Sequence, residues 1–396
     1  MTGNVLARNG SLVITASAVV CEGEVLRPGW LVVDDGRVTA TGSGPTPRDA
    51  DLTFDDGIIV PGFVDMHVHG GGGASYTDGD PHDARRAVDF HRTQGTTTTL
   101  ASLVSADPDV LVEQIRGLRE LVDAGDIAGI HLEGPWLSHD RCGAHDPAAL
   151  RSPTRSDVGK LLDAGDGSIR MVTLAPELDG ALPAIEQLTD AGVVVAIGHT
   201  EATYDQTRAA IAAGARVGTH LFNAMRPLHH REPGPALALL ENPSVTVEVV
   251  GDGVHVHPSL AAYVEQTAGP DRVALVTDAM AAAGMTDGSY RLGVLDVDVV
   301  DGVARVRATG AIAGSTATMA RLFARSVRGS RGDGLLTDSA LLAASAMTSS
   351  TPARALRLGD VGELAPGRWA DFVVLDDAGW VQDVYRRGAR AVRVTA

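Results

Sequence analysis

The sequence predicts an α/β fold: a closed (β/α)8 barrel with a small β-domain formed by both termini. Three observations carry that expectation. Between about residue 60 and residue 280, short runs rich in β-branched residues alternate with helix-forming stretches, the pattern of parallel strands joined by crossover helices. Both chain ends are instead β-rich throughout. Side chains able to bind a metal recur where the apolar runs stop, the rim on which such barrels place their chemistry.

The first element group reads as the strands Leu12–Val20, Trp30–Val33, Arg37–Ala40 and Ile58–Val60, with Asp34-Asp35-Gly36-Arg37 as a hairpin turn. The last reads as the run Gly367–Asp376, then Trp380–Tyr385 and Ala391–Val394. Residues 1–60 and 355–396 are therefore expected to form the small domain, and 61–354 the barrel. Its eight strands are expected at Phe63–Val68, Thr97–Leu103, Ile127–Leu132, Ile169–Leu174, Val193–Ile197, Val217–Phe222, Val245–Val250 and Val273–Thr277. Helices are expected at Asp83–Thr93, Pro108–Asp123, Leu182–Ala191, Tyr204–Ala213 and Pro258–Thr267, and around Thr318–Arg328 and Ser339–Ser349. A doubly wound open sheet is the alternative. Gly70-Gly71-Gly72-Gly73 would be its glycine-rich turn, but His-x-His precedes it and no acidic ribose ligand is evident.

Composition excludes several function classes. The 396 residues are 44% hydrophobic, ordinary for a globular protein. A formal net charge of −17 argues against nucleic acid or an anionic membrane as a general partner, though a local basic cluster could still take a small anion. Cys21 and Cys142 are the only cysteines, which is no disulfide framework and fits a reducing cytoplasm. No apolar run reaches the roughly 18 residues of a membrane span. Arg8 followed by Leu12–Cys21 faintly imitates a secretory leader, but Val19-Val20 is not a small-residue cleavage site, and a strand is the better reading.

The chemistry starts with His67 and His69. Residues two apart on a strand point the same way, so both imidazoles can serve one metal ion. Glu133, His199, His220 and Asp278 each stand where an apolar run gives way to Gly, Thr or Pro. Imidazole nitrogen and carboxylate oxygen suit a divalent transition metal with room left for water. Such a metal lowers the pKa of bound water toward ~7. Asp278 is the candidate general base; a helix N-cap is its structural alternative.

Eight stretches, Pro61–Gly70, His131–Pro135, Thr173–Glu177, Gly198–Thr200, Thr219–Met225, Gly251–His255, Thr277–Met280 and Ala313–Ser315, resemble the amidohydrolase superfamily and, within it, the N-acetylglucosamine-6-phosphate deacetylases. The resemblance spans nearly the whole chain. It implies a TIM barrel with a small β-sandwich, a homodimer, and removal of acetate from an amino sugar phosphate. It also implies one or two divalent ions per subunit, Zn2+ first, with Fe2+, Mn2+ and Co2+ suited to the same donors. Glu133 would bind metal beside His199 and His220, and His67 and His69 would make the chain like the two-metal members. Several binuclear relatives bridge their metals with a carbamylated lysine. The only lysine here, Lys160, lies in Val158–Leu162 and not at a strand end, which argues against that device.

Asn223–Arg231 is a basic segment in an acidic chain and could simply be a solvated loop. The resemblance implies instead that Asn223, the Ala224 backbone N–H and His255 contact phosphate, and that Arg231 reaches a neighbouring subunit's site across the dimer interface. His145 matches a substrate-contacting histidine in a mobile loop. Cys142, where many relatives carry lysine or another polar residue, is either incidental or an exposed reactive thiol. His82, His91 and His257 have no evident partner.

The expected reaction is attack of metal-bound hydroxide on the acetamide carbonyl, with Asp278 taking the proton and returning it to the amine. The rivals are hydrolysis of the galactosamine epimer, another amidohydrolase activity on a cyclic amide or by deamination, and a non-catalytic barrel scaffold.

Overall fold

The computed structural model describes residues 10–329 and 336–393. Arg8 and the expected strand end at Val394 lie outside the described residues. Among those described, the chain divides into two compact units. One takes the chain up to Val64, Arg92–Thr97 and the chain from Met319 onward; the other takes Asp65–His91 and Thr98–Thr318.

The eight-stranded parallel sheet runs in sequence order through Phe63–Asp65, Thr96–Leu103, Gly129–Glu133, Ile169–Leu174, Val194–Ile197, Val217–Gly218, Thr246–Val250 and Val273–Val276. The paired strands are parallel, with helices between them. The strand cores are almost entirely buried, as β-branched runs covered on both faces require. The ring closes just beyond the strands. Asp278 N–H donates to the His67 carbonyl at 2.8 Å and His69 N–H to the Ala279 carbonyl at 2.7 Å.

Helix placement follows local chemistry. Pro108–Asp123 buries Leu111, Val112, Ile115, Leu118 and Leu121 on one stripe, with Asp107 as its N-cap and Pro108 in its first turn. Tyr204–Ala213 opens on a capping box between Thr203 and Gln206.

Both termini supply the second sheet, of eight strands. Its order is Ala389–Arg393, Val381–Arg386, Phe372–Leu375, Leu52–Pro61, Ser11–Cys21, Gly29–Asp34 and Arg37–Ser43, with Glu24–Leu26 beside Ser11–Cys21. Ile14, Leu31, Val38, Ile59 and Phe372 centre its core, and Phe372 stacks on Tyr385 with centroids 4.4 Å apart.

The structure departs from the sequence reading in several places, among them a sixth barrel strand that ends at Gly218 rather than Phe222. The first barrel strand stops at Asp65, so His67 and His69 lie past its end rather than on it. An antiparallel sheet, Gly288–Leu292, Leu295–Val300 and Val303–Val306, follows the last barrel strand and was not anticipated. The expected helix over Ser339–Ser349 ends at Ser345, then loosens into a π-helical turn at Ala346–Ser350 before Thr351–Ala355. Pro352 explains the last: it has no N–H to donate and its ring crowds the carbonyl four residues back.

Candidate active site

The predicted metal-site residues stand at or just past the C-terminal ends of their strands. Glu133 is the last residue of Gly129–Glu133; His199, His220 and Asp278 follow their strands by two residues. His199, His220 and Asp278 adopt positive φ, 47°, 25° and 48°. That conformation costs a non-glycine residue energy and persists only where surrounding bonds fix it. Those bonds are present. Ser138 N–H donates to the His199 carbonyl at 2.9 Å, and His220 N–H to Glu248 Oε2 at 3.1 Å.

The six predicted metal-site residues are all buried and converge. His67 Nε2 and His69 Nε2 stand 3.3 Å apart. Glu133 Oε1 lies 3.1 Å from His199 Nε2 and 2.9 Å from His220 Nε2, while Oε2 lies 3.1 Å from His69 Nε2. Asp278 Oδ1 is 3.4 Å from His69 Nε2 and 3.6 Å from His67 Nε2.

Hydrogen bonds on the far side of three rings set what these atoms can do. His67 Nδ1 faces Glu248 Oε2 at 3.0 Å, His69 Nδ1 faces the Ser102 carbonyl at 3.1 Å, and His199 Nδ1 faces the Arg141 carbonyl at 2.8 Å. Each partner can only accept, so Nδ1 carries a proton, and in the neutral ring Nε2 presents a bare lone pair. Burial lowers the pKa of His67 and His69, but the surrounding carboxylates Glu133, Glu248 and Asp278 raise that of His67, and Glu133 and Asp278 that of His69, above the ordinary imidazole value. In that neutral form, three Nε2 atoms stand 3.1–3.3 Å from other acceptor atoms with no proton between them. Glu133, Asp278 and Glu248 add three buried carboxylates, none of which pairs with a lysine or arginine among the described residues. Buried charge of one sign requires a counter-charge. The donor set therefore fits a divalent cation.

His145 is different, although it sits 3.3 Å from Glu133 Oε2. Ser105 N–H donates to His145 Nδ1 at 3.2 Å, so in the neutral ring Nε2 carries the proton and is a donor. Burial lowers its pKa to about 4, which keeps it neutral. Grouping His145 with Glu133 and His199 as a metal triad is possible by distance, but the tautomer opposes it.

Burial pushes the Glu133 carboxyl up, yet His67, His145 and His199 overcome this and hold it well below the usual carboxylate range. The same holds for Asp278, through His67 and His69. Beneath the cluster, His131 bridges Ser102 Oγ (2.9 Å) and Thr173 Oγ1 (2.8 Å), and burial drives its pKa well below normal.

A cavity of about 350 Å³ opens onto the cluster. His145, Asn223, Ala224 and His255 are among the residues that line it. His255 donates from Nδ1 to Asp252 Oδ2 (2.8 Å), and its Nε2 stands 3.9 Å from Asp278 Oδ2. Val104, Leu292 and Ile312 form an apolar wall, two of them from the unanticipated antiparallel insert and the loop after it. Gly143 lets the covering loop pass over the site: its φ is +56°, and a Cβ there would stand 3.0 Å from His199 Cε1.

Arg231 is exposed and does not line this cavity. Cys142 is a half-buried free thiol, also off the cavity wall. Lys160 lies on the helix Arg155–Gly165, paired with Asp109. His82 is exposed, His91 is fully buried, and His257 caps Pro258–Ala268. The sequence reading missed Glu248, His131, Ser102 and Arg141. Glu248 did leave a signal: it is the one charged side chain in Val245–Val250.

Known proteins resemble this chain over nearly its whole length. The Amidohydrolase family model matches residues 58–391. A solved structure of a variant N-acetyl-D-glucosamine-6-phosphate deacetylase from Mycobacterium smegmatis, in complex with N-acetyl-D-glucosamine-6-phosphate, is 55% identical, with a TM-score of 0.94 over 97% of this chain and 100% of that one. An N-acetylgalactosamine-6-phosphate deacetylase from Escherichia coli O157:H7 is 35% identical over 92% of this chain and 96% of its own. An N-acetylglucosamine-6-phosphate deacetylase from Vibrio furnissii is 34% identical over 90% of this chain and 89% of its own.

Proposed function

The chain belongs to the amidohydrolase family, and we propose that it hydrolyses N-acetyl-D-glucosamine 6-phosphate to D-glucosamine 6-phosphate and acetate. The observation that carries this reading is the convergence of buried imidazole Nε2 atoms on Glu133, with Asp278 at their edge and an open cavity above. The relative at 55% identity, solved with that sugar phosphate bound, supports the substrate.

We assign His67, His69, Glu133, His199, His220 and Asp278 to a cation site. A divalent ion there, Zn2+ foremost, supplies a Lewis acid and lowers the pKa of water toward ~7. Asp278, held in its carboxylate form by the surrounding imidazoles, accepts the proton of the attacking water and returns it to the departing amine. Its strained backbone keeps Oδ1 on the cluster and Oδ2 toward His255. His145 Nε2–H is the donor aimed at a substrate oxygen above Glu133. The apolar wall of Val104, Leu292 and Ile312 excludes water from one side of the reacting amide.

Asn223, Ala224 and His255 are proposed to bind phosphate, joined by Arg231 from the other subunit of a homodimer. Arg231 is exposed and is not among the residues that line its own chain's cavity, which supports a role elsewhere. Among the described residues no helix is long and apolar enough to cross a membrane; residence in the cytoplasm is proposed from the absence of a disulfide framework.

The test is acetate release from the gluco and galacto 6-phosphates and from unphosphorylated N-acetylglucosamine, with and without added Zn2+. The expected result is cation-dependent turnover with the gluco 6-phosphate preferred. Preference for the galacto epimer would move the assignment to the activity named for the E. coli relative. No acetate from any of them would leave another amide substrate or a binding scaffold.

A further inference from the structure

Glu248 is a fully buried carboxylate in the middle of an apolar strand, and the roles assigned above leave it unused. Its Oε2 accepts two hydrogen bonds, from His67 Nδ1 at 3.0 Å and from the His220 backbone N–H at 3.1 Å. Among the described residues its Oε1 has no hydrogen-bond partner. A buried glutamate with one oxygen unsatisfied costs stability unless something offsets it. The fold retains it at the one place where it touches both halves of the cluster.

The two halves are not equivalent. Glu133 Oε1 serves His199 and His220, and Oε2 serves His69. His67 and His69, with Asp278 Oδ1 3.4–3.6 Å away, make a second group of donors beside the first. His69 and His199 have their Nδ1 protons fixed by neutral backbone carbonyls; His67 alone uses a carboxylate. A carboxylate partner raises the basicity of the opposite ring nitrogen and adds a negative charge close by. It favours a cation at His67 Nε2.

We propose that Glu248 is a positioning residue that acts through His67 to make the His67–His69 half a distinct cation site, separate from the Glu133–His199–His220 half. This rests on the metal-dependent reading above. Glu248 does not touch a cation itself. It fixes the ring's tautomer and rotation, and the hydrogen bond it accepts from the His220 backbone N–H holds the carboxylate in place for that role.

The experiment measures Zn2+ affinity by chelator competition for the wild type, Glu248→Gln, Glu248→Leu, His67→Asn and the Glu248→Leu/His67→Asn double variant. The wild type is expected to take two equivalents per chain. Glu248→Leu is expected to weaken one of them about 10–100-fold, the usual effect of removing an outer-shell partner, and to leave the other within about twofold. Glu248→Gln, whose amide oxygen still accepts from Nδ1–H, should fall between. In the His67→Asn background, Glu248→Leu should cost nothing further, an outcome that general loosening of the fold would not produce. Should Glu248→Leu fail to fold, the His67 Nδ1–H resonance decides: it must move upfield in Glu248→Gln as the acceptor loses its charge.

Unchanged affinity for both equivalents, an undiminished effect in the His67→Asn background, an unmoved resonance, or a wild type that takes a single ion each overturns the inference. Acetate release separates this from the functional reading. An active enzyme with indifferent Glu248 variants sinks only the inference. A wild type with two ions and no deacetylation sinks only the reaction. A wild type that binds no Zn2+ sinks both.

Discussion

His145 and His199 meet edge to face, with ring centroids 4.6 Å apart and an interplanar angle of 83°, yet they hold their protons on opposite nitrogens. Ser105 N–H points at His145 Nδ1, whereas His199 Nδ1 points at the Arg141 carbonyl. One ring thereby becomes a hydrogen-bond donor and its neighbour a lone-pair donor, over the same Glu133. Backbone groups that take no part in chemistry have divided the labour.

That division gives the first prediction. His199→Gln should lose bound cation, because it removes a lone pair from the cluster. His145→Gln should keep the cation and lower kcat/KM by about 10²–10³-fold, the cost of one oxyanion donor. Metal analysis of the two purified variants beside their kinetics checks this. Equal cation loss in both would show that His145 is a ligand.

Asp278→Asn keeps the shape of the side chain and removes its ability to take a proton. Turnover should fall about 10²–10⁴-fold, the range of general acid–base catalysis, while KM for the sugar phosphate stays within a few-fold. A variant with near-normal kcat would remove Asp278 from the mechanism.

Arg231→Ala should raise KM for the 6-phosphate about 10–100-fold, the equivalent of one or two charge-assisted hydrogen bonds, and leave turnover of unphosphorylated N-acetylglucosamine unaltered. Mixing Arg231→Ala with Asp278→Asn subunits distinguishes the interface role. If the arginine crosses between subunits, a mixed dimer regains at most one complete site. If KM does not move, the phosphate assignment of Arg231 is wrong.

His91 supplies a prediction about stability. It is buried, its Nε2 donates to the Gly70 carbonyl at 2.9 Å, and burial lowers its pKa from 6.5 to about 4. Above pH 6.5 the ring is neutral whether the chain is folded or not, and its contribution is complete. Between pH 6.5 and 4 the unfolded chain takes up a proton that the fold refuses, so stability falls as the pH falls. The loss approaches about 3 kcal/mol at the acid end of that window. Denaturant unfolding of wild type and His91→Gln, both in chelator, should show the gap between them shrinking by roughly 2–3 kcal/mol from pH 7 to pH 4.5. A gap that does not change with pH would mean that His91 is not held neutral.

Much of the barrel was legible in one dimension because its strands are buried on both faces and so must be unbroken apolar runs. Ile169–Leu174 and Pro108–Asp123 have the same bounds in sequence and structure. The antiparallel insert at Gly288–Val306 was not legible, since its short strands mix exposed charge with buried valine and its core forms only with Met280 and Ala313 in place. The ligand candidates stood out as His, Glu and Asp at the ends of apolar runs. Glu248, although it too breaks an apolar run, could not be given a role, because its partners His67 and His220 are 181 and 28 residues away along the chain.

The sequence by itself determined which residue types reach the barrel mouth, since strand order and the placement of polar residues at strand ends are local properties of the chain. Only the tertiary structure decided what each of those residues can do there. A histidine binds a cation or donates a proton according to what stands behind its ring, and Ser105, Arg141, Ser102 and Glu248 come to stand there only when distant strands close into a ring.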